Sequence, residues 1–202
     1  MTHVNTPLVS AVIIGRNEGQ RLVECLRSVN GVRQDGFRLE TIYVESDSTD
    51  DSPRRARTLG ARVIEVRPER PCAAVGRNAG WRAARGEYVL FLDGDTILQP
   101  DFIRQALKAI SAPEIAVVWG HRREQAPEQS LYVRVLDLDW VYPPGESEFC
   151  GGDALMRHRG GLGEPVTDRP AQGRRLGGLR PDAPLHELGE RLSLEAFEQP
   201  LG

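Results

Sequence analysis

Asp93-Gly94-Asp95 sets two carboxylates one residue apart, directly after residues 87–92 (EYVLFL), a run that ends in four consecutive apolar residues. Hard carboxylate oxygens suit Mg²⁺ or Mn²⁺, ions usually held by one or two acids together with substrate phosphates and water. A capped turn at a strand end uses the same residue types, so the D-x-D alone leaves both readings open. Other phosphate cradles are missing from the sequence. No G-x-G-x-x-G follows the first strand pattern, and no G-x-x-x-x-G-K-[ST] occurs anywhere, which excludes dinucleotide and P-loop chemistry. A phosphorylated ligand would need its charge met by a metal ion at the D-x-D.

Positioning these acids requires a regular frame, and the patterning supplies one. Residues 8–14 (LVSAVII), 39–44 (LETIYV), 62–66 (RVIEV), 87–92 and 115–119 (IAVVW) read as strands. Between them fall helical patterns. Leu22, Leu26 and Val29 recur at helical spacing after Asn17 and Glu18, with Asn17 available as an N-cap. Pro53 opens a second helix that Gly60 closes, with Asp50 as a candidate cap; residues 73–85 and 100–111 give two more. This alternation predicts an α/β fold, a mostly parallel sheet with helices on both faces. Ligands in such sheets bind at the carboxyl ends of the strands, where strand order reverses. The clusters at residues 15–18, 45–50 and 93–95 all follow strands directly, so they should meet on one rim.

Composition narrows the function. The chain has 202 residues, 40% hydrophobic and 27% charged, with net charge -3, which suits one soluble domain and gives no basic surface for nucleic acid. Cys25, Cys72 and Cys150 are scattered and in no CxxC pair, which fits reduced thiols in a cytoplasm. No apolar run approaches the roughly 20 residues that span a bilayer. The expected protein is cytoplasmic, without a transmembrane segment, and at most peripheral to a membrane.

Four segments in order, VSAVIIGRNEGQRLVECLRSV, YVESDSTDDS, VGRNAGWRAARGEYVLFLDGDT and CGGDALMR, resemble the family 2 glycosyltransferases, inverting enzymes of the GT-A fold. The resemblance covers about residues 8–157. It implies a nucleoside-diphosphate sugar donor, a hydroxyl acceptor, and Mn²⁺ or Mg²⁺ at the D-x-D. Carried over by position, Asp95 would be the direct metal ligand, and Asp93 would contact the donor ribose and help hold the ion. Asn17 and Glu18 would frame the nucleoside. Glu45 stands where the family has a shorter Asp that meets the base. Arg77 would lie near the base or diphosphate; a solvated position on its helix is the alternative. Gly151-Gly152-Asp153 resembles a loop closing over donor and acceptor, or an ordinary turn.

Inverting transfer also needs a general base for the acceptor hydroxyl. The family's base lies beyond the CGGDALMR-like segment, and nothing after Arg157 matches it. Asp153, Glu187 and Glu190 are the candidates that remain. Residues 158–184 are rich in Gly, Arg and Pro without apolar periodicity, a composition that cannot offset the entropy of ordering. Residues 1–157 therefore read as a GT-A glycosyltransferase domain incomplete at its acceptor side. Residues 158–202 read as an irregular, truncated or altered tail with a short terminal helix. Two functions follow: metal-dependent sugar transfer, or a sugar-nucleotide-binding remnant with little turnover. A nucleotidyltransferase would need a fuller Gly- and Arg-bearing loop than GRNEG.

Overall fold

In the computed structural model, the described residues are 6–69, 72–113, 115–120, 122–139, 152–158 and the backbone of 193–197. The first half is a run of βα units: β1 (Leu8–Gly15), α1 (Gln20–Asn30), β2 (Arg38–Glu45), α2 (Ser52–Thr58), β3 (Arg62–Glu65), α3 (Ala73–Ala83), β4 (Tyr88–Asp93) and α4 (Phe102–Ala109). Then come β5 (Ile115–Gly120), a 3-10 turn (Pro127–Gln129), α5 (Leu131–Asp139), β6 (Ala154–Arg157) and β7 (Ser193–Phe197). The strand and helix patterns of residues 8–119 are met within one or two residues at most ends.

The sheet order is β3-β2-β1-β4-β6-β5-β7. Pairs among β1 to β4 are parallel, and β6 lies antiparallel between β4 and β5. β1 shows why helices cover both faces. Its period of two sends Val9, Ala11 and Ile13 to one side, against Leu22, Cys25, Leu26 and Val29 of α1 and Ile103 of α4. Val12 and Ile14 go to the other side, with Val44, Val89 and Phe91, against Ala79 and Trp81 of α3. Both faces are dry, which is why the strands read as near-continuous apolar runs.

The order 3-2-1-4 reverses at the β1/β4 boundary, so a crevice opens there at the carboxyl ends of the strands. Register levels those ends: Gly15 faces Glu45, and Ile14 faces Asp93. β5 runs in the same sense as β4, since both pair antiparallel with β6. Its carboxyl end therefore reaches the same rim.

The sequence reading needs one correction here. Weak helical character over residues 185–197 predicts a terminal helix, yet Ser193–Phe197 is a strand, paired in parallel with β5. β5 would otherwise present an open edge, and satisfying that row of backbone groups outweighs a weak helical pattern. Residues 159–192 and 198–202 lie outside the described residues, Glu187 and Glu190 among them.

Candidate active site

β4 ends at Asp93, and the chain turns at once, with the Thr96 amide donating to the Asp93 carbonyl at 3.0 Å. Gly94 permits that turn to touch the β1 loop. A Cβ there would come within 2.9 Å of Glu18 Cγ and 3.1 Å of the Ile14 carbonyl. The two carboxylates of the turn then part company. Asp93 faces inward, with Arg77 Nη2 2.6 Å from Oδ1 and Arg122 Nη2 2.9 Å from Oδ2. Asp95 faces outward, its side chain 52% exposed and 4.0 Å from the Arg21 guanidinium. One acid is neutralised by arginines; the other is open.

Beneath the turn, the Cys25 thiol donates to the Asp93 carbonyl at 3.7 Å. Burial pushes its pKa up to about 12, so it is an inert core group rather than a nucleophile.

The loop after β1 is braced against the loop after β2. The Asn17 amide donates to Ser48 Oγ at 3.0 Å, and Asn17 Oδ1 accepts from the Thr49 amide at 2.7 Å. Asn17 holds a left-handed backbone, φ 56°, which Asn tolerates better than most residues. It does not cap α1, whose N-cap is Gly19. The side chain that would have capped the helix ties two loops together instead. Glu18 packs its stem against Gly15 and Gly94 and pairs with Arg21 at 2.9 Å. Burial raises its carboxyl above the ordinary range, although Arg21 opposes the shift.

Glu45 is buried at the end of β2, and its carboxylate accepts from the Ser48 amide. The longer side chain thus folds back into its own loop. Asp50 satisfies the start of α2 by accepting from the Ser52 amide at 2.9 Å, while the N-cap position itself belongs to Asp51.

Arg77 is buried on α3, not solvated. Gly152 lies directly over its pair with Asp93: a Cβ there would fall 2.5 Å from Arg77 Nη2 and 3.2 Å from Asp93 Oδ2. Only a glycine lets the backbone come that near. Asp153, next in sequence, accepts from the Asp93 amide at 3.0 Å, the Thr96 hydroxyl at 3.1 Å and Arg122 Nε at 2.7 Å. Burial raises its pKa, against the pull of Arg122. The residues before β6 therefore lock the D-G-D turn from the far side.

The profile of glycosyl transferase family 2 matches residues 10–161. The chain belongs to that family. EpsH of Bacillus subtilis, a putative glycosyltransferase by name, is 29% identical over 124 residues, which is 60% of this chain and 36% of EpsH. Among solved structures, glucosyl-3-phosphoglycerate synthase from Mycobacterium tuberculosis in complex with UDP is similar at 25% identity and TM-score 0.55, covering 75% of this chain and 57% of that one. The mannosyltransferase PcManGT from Pyrobaculum calidifontis, in complex with GDP-Man and Mn²⁺, shares the fold at 22% identity and TM-score 0.58, over 76% and 45% of the two chains. The chain spans 36–41% of the length of the first curated relatives that it matches.

In this family 2 glycosyltransferase, the sequence-predicted residues Asn17, Glu18, Glu45, Arg77, Asp93 and Asp95 all belong to the β1/β2/β4 rim or to α3 beside it. Whether they suit a divalent ion turns on donor chemistry. Among the described residues, no group of three or more His, Cys, Asp or Glu could hold a metal unaided. An open Asp95 beside a second acid is nevertheless what Mg²⁺ or Mn²⁺ takes when phosphates and water complete its shell. Sequence reasoning missed Arg122 altogether. The available signal was its position, two residues past the end of β5 on the same rim. Among the described residues, no helix is long and apolar enough to cross a membrane.

Proposed function

We propose that this family 2 glycosyltransferase binds a nucleoside-diphosphate sugar with Mn²⁺ or Mg²⁺ and transfers the sugar, with inversion, to an acceptor hydroxyl. The observation that carries this reading is the division of labour in the D-G-D turn. Asp95 stays open toward solvent while Asp93 is held by Arg77 and Arg122. In this reading Asp95 ligates the ion directly and Asp93 orients the turn and the ribose. Asn17 and Glu18 shape the nucleoside loop, Glu45 fixes the β2 loop beside the base, and Arg77 supplies positive charge near the diphosphate. The metal, when bound, neutralises charge on the departing diphosphate. The mannosyltransferase and UDP complexes among the similar structures support a nucleotide-sugar donor of this kind. Unpaired Cys25 and Cys72 support a reducing cytoplasm as the compartment.

A second reading is donor binding with little turnover. Asp153, the candidate base among the described residues, already accepts from Asp93, Thr96 and Arg122. A base needs a free lone pair toward the acceptor. We assign Asp153 to holding the turn. A thermal-shift screen of nucleoside-diphosphate sugars, with and without Mn²⁺, tests binding, since a ligand of the folded state raises Tm by mass action. Stabilisation by at least one donor only with the metal is expected; no shift with any donor contradicts the proposal. Release of nucleoside diphosphate in the presence of an acceptor pool then separates the two readings.

A further inference from the structure

Arg122 has no counterpart in the motifs that marked the site, yet it touches both acids that shape the D-G-D turn. Its Nη2 lies 2.9 Å from Asp93 Oδ2 and 2.6 Å from Asp153 Oδ2, and its Nε donates to Asp153 at 2.7 Å. Arg77 occupies the other Asp93 oxygen at 2.6 Å. Asp93 thus has a guanidinium on each oxygen, so a divalent ion that also used Asp93 would compete with two resident positive charges for the same carboxylate. Arg77 is the fixed member: its side chain is 11% exposed, it sits inside α3, and Gly152 closes over it. Arg122 is the more accessible, 29% exposed, on the segment after β5 rather than on a helix.

We propose that Arg122 is a resident counter-cation that competes with the divalent ion for Asp93, and so sets the metal affinity of the site. This rests on the metal-site reading above and goes beyond it. Without a metal, Asp93, Asp95 and Asp153 crowd one turn, and Arg122 bridges two of them. With a metal, its contact to Asp93 is given up while Asp153 keeps hold of the side chain. Arg122 is therefore a positioning residue, acting through the carboxylate it shares. The neighbouring Arg123 faces away and pairs with Asp137 of α5 at 2.7 Å, which makes it a matched control.

The test is Mn²⁺ binding by the full chain, with Mn²⁺ alone as probe and free ion counted by electron paramagnetic resonance. Arg122→Gln is expected to tighten Mn²⁺ binding roughly five- to tenfold, the scale for losing one nearby unit charge in a partly solvated site. Arg123→Gln, whose charge is spent on Asp137, stays within about twofold of wild type. Unchanged or weaker binding in Arg122→Gln overturns the proposal while leaving the metal site intact, provided Asp95→Asn still loses Mn²⁺. No Mn²⁺ binding in wild type or Arg122→Gln overturns the metal-site reading and the proposal together. A measurement independent of variant folding follows the Arg122 Nε–H resonance of ¹⁵N-arginine-labelled wild type during a Mg²⁺ titration. It should shift in step with Mg²⁺ occupancy; a resonance that stays fixed at saturation contradicts displacement.

Discussion

The two ends of the rim are built differently. Around β1 and β2, acids and amides are fastened by bonds to the loop backbone and to one hydroxyl: Glu45 to the Ser48 amide and Asp50 to the Ser52 amide within the β2 loop, and Asn17 across to Ser48 and Thr49. Around β5 and β6, the fastening is done by long charged side chains. Arg122 reaches back to Asp93 and Asp153, and Arg123 ties the β5 loop to Asp137 of α5. Bonds to loop backbone hold the β1–β2 side in place. Ion pairs between segments make a side whose geometry depends on charge. Under the proposed function, the β1–β2 side is the part preorganised for a nucleotide, and the β5–β6 side the part that responds to a metal.

Breaking the Arg77–Asp93 pair should have the largest effect. Arg77→Ala leaves Asp93 without its inner partner and empties a buried position, and is expected to cost about 2 to 4 kcal/mol. Urea unfolding measures this; a loss under about 1 kcal/mol would mean that Arg122 alone suffices to hold Asp93. Gly94→Ala comes next. Its Cβ would press on the Ile14 carbonyl at 3.1 Å and Glu18 Cγ at 2.9 Å, an overpacking cost of about 1 to 3 kcal/mol. Asn17→Ala should cost about 1 kcal/mol through the lost brace to Thr49. Amide exchange in residues 46–49 should rise with it, and protection equal to wild type would show that the brace is dispensable.

The smallest effect belongs to the other side of the rim. Hydrogen bonds from Arg123 and the Glu124 amide hold the Asp137 carboxyl down to about 2, from an ordinary 3.8. A depressed acid contributes stability above its unfolded value and loses it as pH falls through the folded one. The stability difference between wild type and Asp137→Asn should therefore be present at neutral pH and vanish between about pH 4 and about pH 2. A difference independent of pH would mean that the carboxylate charge does not hold α5. Circular dichroism melts of both proteins across that window decide it.

How much of this was written in the sequence follows the same division. The spine of β1, β2 and β4 was legible because buried strands with dry faces read as apolar runs, and because Gly and Asp follow them directly. Arg77 was found by motif position, although only the fold shows it buried beneath Gly152. Asn17 illustrates what local reading misses. Its type suits a cap, but the β2 loop lies close enough to take its side chain first. Arg122 and Arg123 are chemically identical neighbours, and nothing local distinguishes the one that enters the site from the one that clasps α5. Their partners lie 29 to 31 and 14 residues away in the chain, and only topology brings them close. The Ser193–Phe197 strand was misread for the same reason, since an open edge on β5 is invisible from the tail itself.

The account rests on Asp95 as the open metal-ligating carboxylate of the turn, and one titration tests that most directly. Fluorescent UDP and GDP analogues are titrated into wild type and Asp95→Asn, each with and without Mn²⁺, with far-UV circular dichroism confirming the same fold. Asp95 is exposed, and its ion pair among the described residues is a long contact to Arg21, so the substitution should leave stability within about 0.5 kcal/mol of wild type. The account predicts that wild type binds at least one analogue more tightly with Mn²⁺, and that Asp95→Asn loses the whole metal-dependent increment. Equal Mn²⁺-dependent binding by the variant would contradict it, and D-G-D would then be a strand-end turn held by arginines, with no metal to place.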